Sequence, residues 1–176
     1  MWDFVAGTTT PYTDYMPLGE YEADGYVQPY CDSPLDGEAV AESAYLNVLQ
    51  HARDYVYIVT PYLIVDNEMV TALCLAAKSG VDVRILTPGV PDKWYVYYVS
   101  DDREAIVGSA NMDYRSLYLH FENCCAFYGG HMVRDVLEDV RATLAESHEV
   151  TMADVLRTPL YKWLAQVFLR FFSPLM

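Results

Sequence analysis

Residues 55 to 86 constrain the fold of this chain more than any other stretch. YVYIVT at 55 to 60 is β-branched and aromatic without clean alternation, as expected of a strand buried on both faces of a sheet, and Pro61 ends it. Asp66 or Asn67 can cap a helix running through Val70, Leu73, Leu75 and Ala77, with Gly80 where a C-terminal cap belongs. Val81 to Leu86 reads as the next strand. Strand, helix and strand within about 30 residues make a βαβ unit, which requires a crossover and a parallel pairing, so the fold class is α/β.

The flanks extend that pattern. From Asp36 to about Arg53 the chain reads as a helix, with Val40, Ala44, Leu46, Val48 and Leu49 apolar and with acids near its start that suit the helix dipole. Glu104 to Val107 and Glu122 to Tyr128 read as strands, Met132 to Leu144 as an amphipathic helix, and Thr151 with Asp154 as a capping box. Residues 1 to 30, rich in Tyr, Gly, Thr and Pro without a period, read as a loop-like lead-in. There is no internal repeat and no Gly/Ser linker. We therefore expect one domain over 31–157, between the lead-in at 1–30 and a C-terminal amphipathic helix at 158–176. With 176 residues, such a chain buries roughly two-thirds of its unfolded surface around a single core.

Charge narrows the partners. The 25 acids against 11 bases give a net charge of -14, and an anionic surface repels a phosphate backbone, so nucleic acid is not the expected partner. Cys31, Cys74, Cys124 and Cys125 lack paired zinc spacing, and adjacent Cys124 and Cys125 do not readily bridge locally, so a reduced, cytoplasm-facing protein is expected. MWDFVAGTTT has neither a basic start nor an apolar run of signal-peptide or membrane-spanning length. After Asp154 there are no acids, and Arg157, Lys162 and Arg170 stand unopposed in an otherwise acidic chain. A helical projection of 160–173 places Lys162, Gln166, Arg170 and Ser173 on one narrow face, with Trp163, Leu164, Phe168, Phe171 and Phe172 around the rest. Such a helix suits an anionic lipid surface, while its wide apolar arc also suits packing against the core.

The chemistry is concentrated between Asp101 and Glu122, in DDREAIVGSANMDYRSLYLHFE. Asp101, six residues, and then Gly108-Ser109-Ala110-Asn111 match the second part of H-x-K-x4-D-x6-G-S/T-x-N, with Glu122 downstream. The chain thereby resembles the phospholipase D superfamily, specifically bacterial cardiolipin synthase, and YIVTPYLIVDNEMVTALCLAAKSGVDVRILTPGVPDKWYV, DSPLDGE and SPLM are similar to segments of its second catalytic half. The resemblance implies an α-β-α sandwich with a mixed sheet and helices on both faces. It implies transfer of a phosphatidyl group from one phosphatidylglycerol to another through a phosphohistidine, giving cardiolipin and glycerol with no cofactor or metal. It also implies a phospholipid substrate, a membrane surface at the cytoplasmic face of the bacterial cell membrane, and an N-terminal catalytic half or second copy as partner.

Position by position, the resemblance makes Asn111 a donor to a nonbridging phosphate oxygen and Ser109 a wall of the same anion pocket; such preorganised donors are worth about 3 kcal/mol each. It makes Glu122 the acid that fixes the nucleophilic imidazole and Asp101 an organiser behind it. The His-x-Lys is missing. Counting back from Asp101, the nucleophile position falls on Trp94 and the lysine position on Val96. His51, His120, His131 and His148 are followed two residues on by Arg53, Glu122, Val133 and Val150, and none has an Asp at the required distance. The residues on both sides keep their family character, so a deleted segment, which leaves the fold incomplete, accounts for the gap better than gradual drift.

Plainer readings of the same residues stay open. Gly108, Ser109 and Asn111 are residues that build strand-end turns, Asp101 and Asp102 can form a polar turn, and Glu122 can be a strand-edge acid. His120 and His131 read as surface or satisfied core histidines rather than metal ligands, and Arg115 can pair with Asp113 or Glu122 as readily as with a lipid phosphate. Three functions compete: an impaired phosphatidyltransferase, a non-catalytic domain that binds phosphate or supports an intact half, and a phosphodiesterase acting on nucleic acid, which the acidic surface disfavours.

Overall fold

In a computed structural model of the chain, residues 2–88 and 96–170 are described. The elements run α1 (Trp2–Ala6), β1 (Tyr26–Asp32), α2 (Val40–His51), β2 (Tyr55–Val59), β3 (Leu63–Ile64), α3 (Asn67–Lys78), β4 (Asp82–Leu86), β5 (Val96–Ser100), β6 (Glu104–Gly108), β7 (Met112–Asp113), α4 (Tyr114–Tyr118), β8 (Glu122–Tyr128), α5 (Gly130–Glu146), α6 (Met152–Leu156) and α7 (Leu160–Arg170). Six strands form one mixed sheet in the order β1-β8-β6-β5-β2-β4, and β3 pairs with β7 in a short second ladder.

The expected βαβ unit is present. β2 and β4 pair in parallel, from Tyr55 opposite Asp82 to Val59 opposite Leu86. Asp66 is the cap of α3, its carboxylate accepting from the Met69 amide at 2.8 Å, and Gly80 follows the helix at φ +98°, a conformation that favours glycine. The capping box of Thr151 and Asp154 forms at α6.

Alternation along the strands divides the core in two. Val56, Ile58, Ile106, Cys124 and Ala126 face α2 and α3, where Tyr45, Leu49, Met69 and Leu73 meet them. Tyr57, Val99 and Ala105 face α5, through Val133, Val136, Leu137 and Val140. Helices therefore cover both faces of the sheet, as a strand apolar on both sides demands.

Three expectations need correction. The sheet begins at Tyr26, inside the segment read as lead-in: β1 pairs antiparallel with β8 at the edge, where Pro29 can be tolerated within a strand. Its Pro and the absence of alternation hid it. Residues 96–100, to which the residue pattern assigned no element, form β5, an antiparallel strand between β2 and β6. The sheet is continuous through that position. In α7, Leu160, Trp163, Leu164 and Phe168 are exposed, so among the described residues this part of its apolar arc is not buried in the core. Phe171, Phe172 and Ser173 lie outside the described residues, as does Trp94.

Candidate phosphate site at the end of the central hairpin

The spacing of the motif is the spacing of a hairpin. β5 and β6 pair from Val96 opposite Gly108 to Ser100 opposite Glu104, leaving Asp101, Asp102 and Arg103 as the loop. The Arg103 amide donates to the Ser100 carbonyl at 2.9 Å, and Asp101 and Asp102 take φ of +51° and +54°. Two successive positive φ values are the mark of the turn whose twist matches paired strands, and Asp tolerates them better than most residues. The register sets Val96, the lysine position of the motif, beside Gly108, at the end of the hairpin away from Asp101.

Asp101 is thus separated from the other motif residues. About 15 Å of strand lies between the turn and Gly108. Its carboxylate accepts from the backbone amides of Arg53 (2.7 Å), Asp54 (2.9 Å) and Tyr55 (2.9 Å), tying the turn to the start of β2. Burial pushes this carboxyl upward, but the three amides together with nearby Arg103 outweigh it and hold it below the ordinary aspartate value. Its role is to organise the hairpin, and it does so from the far end.

At the near end, Ser109, Asn111 and Glu122 come together. Gly108 lies so close to β8 that a Cβ there would sit 2.6 Å from the Asn123 carbonyl, which explains the glycine by close approach of two backbones. The Ser109 amide donates to the Asn123 carbonyl at 3.0 Å, the Asn123 amide donates to Ser109 Oγ at 3.1 Å, and Ser109 Oγ donates to the Glu122 carboxylate. Glu122 is buried. Its burial raises its carboxyl above the ordinary glutamate value, against the Ser109 and Ser116 hydroxyls and His120, which favour the charged form.

Asn111 lies where the chain leaves β6. The preceding Ala110 carbonyl accepts from the Tyr45 hydroxyl at 2.6 Å, and the following Met112 amide donates to Thr60 Oγ1 at 3.2 Å. These two buried bonds, from α2 and from the end of β2, fix the backbone on either side of Asn111. Its Nδ2 makes a long contact of 3.4 Å with Ser116 Oγ, and its Oδ1 is buried without a hydrogen-bond partner. A buried oxygen without a donor is uncommon, and with the long Nδ2 contact it leaves this amide the least satisfied polar group of the cluster.

Four further residues belong to this site. Asp113 caps α4, accepting from the Ser116 amide at 3.0 Å and the Ser116 hydroxyl at 3.3 Å, which holds Ser116 between Asn111 and Glu122. Tyr45 positions Ala110. His120 Nδ1 stands 3.7 Å from Glu122 Oε1 while its side chain remains about half exposed. The Asp113-x-x-Ser116 cap spacing was a visible signal, and His120 stands only two residues before Glu122 in the sequence. Among the described residues no ion pair joins Arg115 to Asp113 or Glu122, and no group of three His, Cys, Asp or Glu side chains could hold a metal ion.

Comparison with known proteins gives this geometry a family. The model described as cardiolipin synthase, PLD-like domain, matches residues 45–100, which run from α2 through β5. The chain is 28% identical over 206 residues to cardiolipin synthase 2 of Bacillus cereus, covering 99% of this chain and 40% of that protein. An uncharacterised protein of Streptococcus mutans is 39% identical over 186 residues, covering 89% of this chain and 40% of that one. The chain therefore spans about two-fifths of the length of these relatives. The Bacillus cereus alignment needs 206 positions for a chain of 176 residues, so that the relative carries residues for which this chain has none. In fold, the phospholipase D family member Nuc of Salmonella typhimurium superposes with a TM-score of 0.60 at 15% identity, over 72% of this chain and 99% of that one. The chain belongs to the bacterial cardiolipin synthase family within the phospholipase D superfamily.

Proposed function

We propose that this chain carries the phosphate-holding part of the second catalytic half of a cardiolipin synthase-like phosphatidyltransferase, and that it is impaired because the His-x-Lys pair is missing. The observation that carries the reading is the convergence of Ser109, Asn111 and Glu122 at the end of the hairpin where Val96 lies opposite Gly108. Asn111 then gives an N–H of its Nδ2 to a nonbridging phosphate oxygen in place of its long contact with Ser116. Ser109 walls the pocket, and Glu122 is the carboxylate meant to hold an imidazole. Asp101 supports the hairpin only.

The substrate in this reading is phosphatidylglycerol or a related phospholipid at the cytoplasmic face of the membrane. No helix among the described residues is long and apolar enough to cross a bilayer. The exposed apolar residues of α7, with Lys162 on the same helix, supply a surface suited to anionic lipid. A second reading is a domain that binds phosphate or pairs with an intact half without chemistry of its own; the incompletely bonded Asn111 amide, with no His-x-Lys in the sequence, favours it.

Incubation with phosphatidylglycerol vesicles, followed by mass spectrometry of the lipids, separates these readings. Cardiolipin is expected at a rate lower by on the order of 10⁴-fold than that of an intact enzyme, as for loss of a nucleophile. Vesicle binding should saturate and weaken in Asn111→Ala. Robust turnover overturns the impairment, and absence of both binding and turnover overturns the phosphatidyltransferase reading and its non-catalytic alternative together.

A further inference from the structure

The site is not without an imidazole. His120, outside the motif, lies in the bend between α4 and β8, two positions before Glu122, and its Nδ1 faces Glu122 Oε1 at 3.7 Å. The carboxylate is buried and the imidazole is about half exposed, so one side of the ring meets the protein and the other is open to solvent. The second oxygen of Glu122 accepts from Ser109, which fixes the carboxylate, and Ser116 links the same carboxylate to Asn111.

We propose that His120 is a reactive imidazole of this site, able to attack phosphorus in a small, activated phosphodiester. The proposal rests on the phosphate-site reading above and adds a nucleophile to it. Glu122 acts as a positioning residue: it holds the proton on Nδ1 and leaves the Nε2 lone pair free. The 3.7 Å separation is wider than a hydrogen bond, and such contacts commonly tighten when substrate enters. Nε2 forms a bond to phosphorus, the phosphorus–oxygen bond to the leaving alcohol breaks, and its electron pair departs with that oxygen. Water then attacks phosphorus, the phosphorus–nitrogen bond breaks with its pair returning to Nε2, and the water proton passes to solvent. Among the described residues no lysine or second imidazole is paired with His120 or Glu122 to protonate a poor leaving group, so the activity is confined to good leaving groups.

The test uses the full chain with bis(p-nitrophenyl) phosphate, whose p-nitrophenolate leaves without a general acid. Release should be measurable, and a p-nitrophenyl phosphoryl adduct should map to His120 by tandem mass spectrometry after an alkaline quench. His120→Gln and His120→Asn should both lose about a hundredfold in release and all of the adduct, whereas His148→Gln should retain both. Glu122→Gln should slow release and move its pH profile, which a purely structural role would not do. No release by the native chain, an adduct on another residue, or release that survives both His120 substitutions overturns the proposal. Mapping the adduct on the native chain requires no variant to fold. Vesicle binding weakened by Asn111→Ala but no adduct removes His120 alone; loss of both removes the phosphate site itself.

Discussion

The two ends of the β5–β6 hairpin hold two carboxylates in opposite states. At the turn, Asp101 accepts three backbone amides, and its carboxyl lies below the ordinary value. Beside the far end of these strands, at the start of the neighbouring β8, Glu122 is buried against hydroxyls and an imidazole, and its carboxyl lies above the ordinary value. One carboxylate has its bonding completed by the fold. The other sits beside an Asn111 amide whose bonding is incomplete. The motif therefore contains a scaffold residue and a cluster of residues proposed to form the site, and pH should act on the two carboxylates in opposite directions. Asp101, depressed, contributes stability that is present above the unfolded value of 3.8 and is lost as pH falls through the folded one. Glu122, raised, contributes stability that is present below the unfolded value of 4.5 and is lost as pH rises through the folded one.

This contrast can be broken most forcefully at the turn. Asp101→Ala removes three bonds to a charged group and places alanine at positive φ, so urea denaturation should show a loss of about 3 kcal/mol. Vesicle binding of the folded variant should be unchanged; weakened binding at intact stability would place Asp101 in the site after all. Gly108→Ala should cost about 2 kcal/mol through overpacking against β8, and should also weaken vesicle binding because Ser109 must move. Equal binding by this variant would show that the backbone approach does not position the site.

Smaller effects sharpen the near end. Tyr45→Phe leaves the buried Ala110 carbonyl without its hydroxyl donor, so thermal unfolding should report a loss of about 1.5 kcal/mol. Glu122→Gln should change least at acid pH, its signature being a flatter fall of stability as pH rises above the ordinary glutamate range. A slope identical to that of the native chain would mean that the buried carboxyl is not titrating against burial.

Much of this was legible in the residues. The βαβ unit, the Asp66 cap and the α6 capping box depend on neighbours within a few positions, and local chemistry decides them. β1 was hidden by Pro29, because only a position at the edge makes a proline acceptable in a strand, and edges are set by the whole sheet. β5 was hidden because its five residues carry no signal that separates a central strand from a connection. Ser109, Asn111 and Glu122 were found through the motif. His120 was set aside for lack of ligand spacing, and it was the burial of the nearby Glu122 carboxylate that the sequence did not show.

By itself the sequence determined the α/β class, the family resemblance, and the lack of a His-x-Lys. These follow from local conformational preference and from residue order. Tertiary structure alone decided that Asp101 and Glu122 lie toward opposite ends of β6, Glu122 on the neighbouring strand β8, and that the residues on either side of Asn111 are held by bonds from Tyr45 of α2 and from Thr60 just after β2. Each of these depends on strand register and on burial, which bring together groups far apart along the chain and shift their protonation through surroundings that no local pattern records.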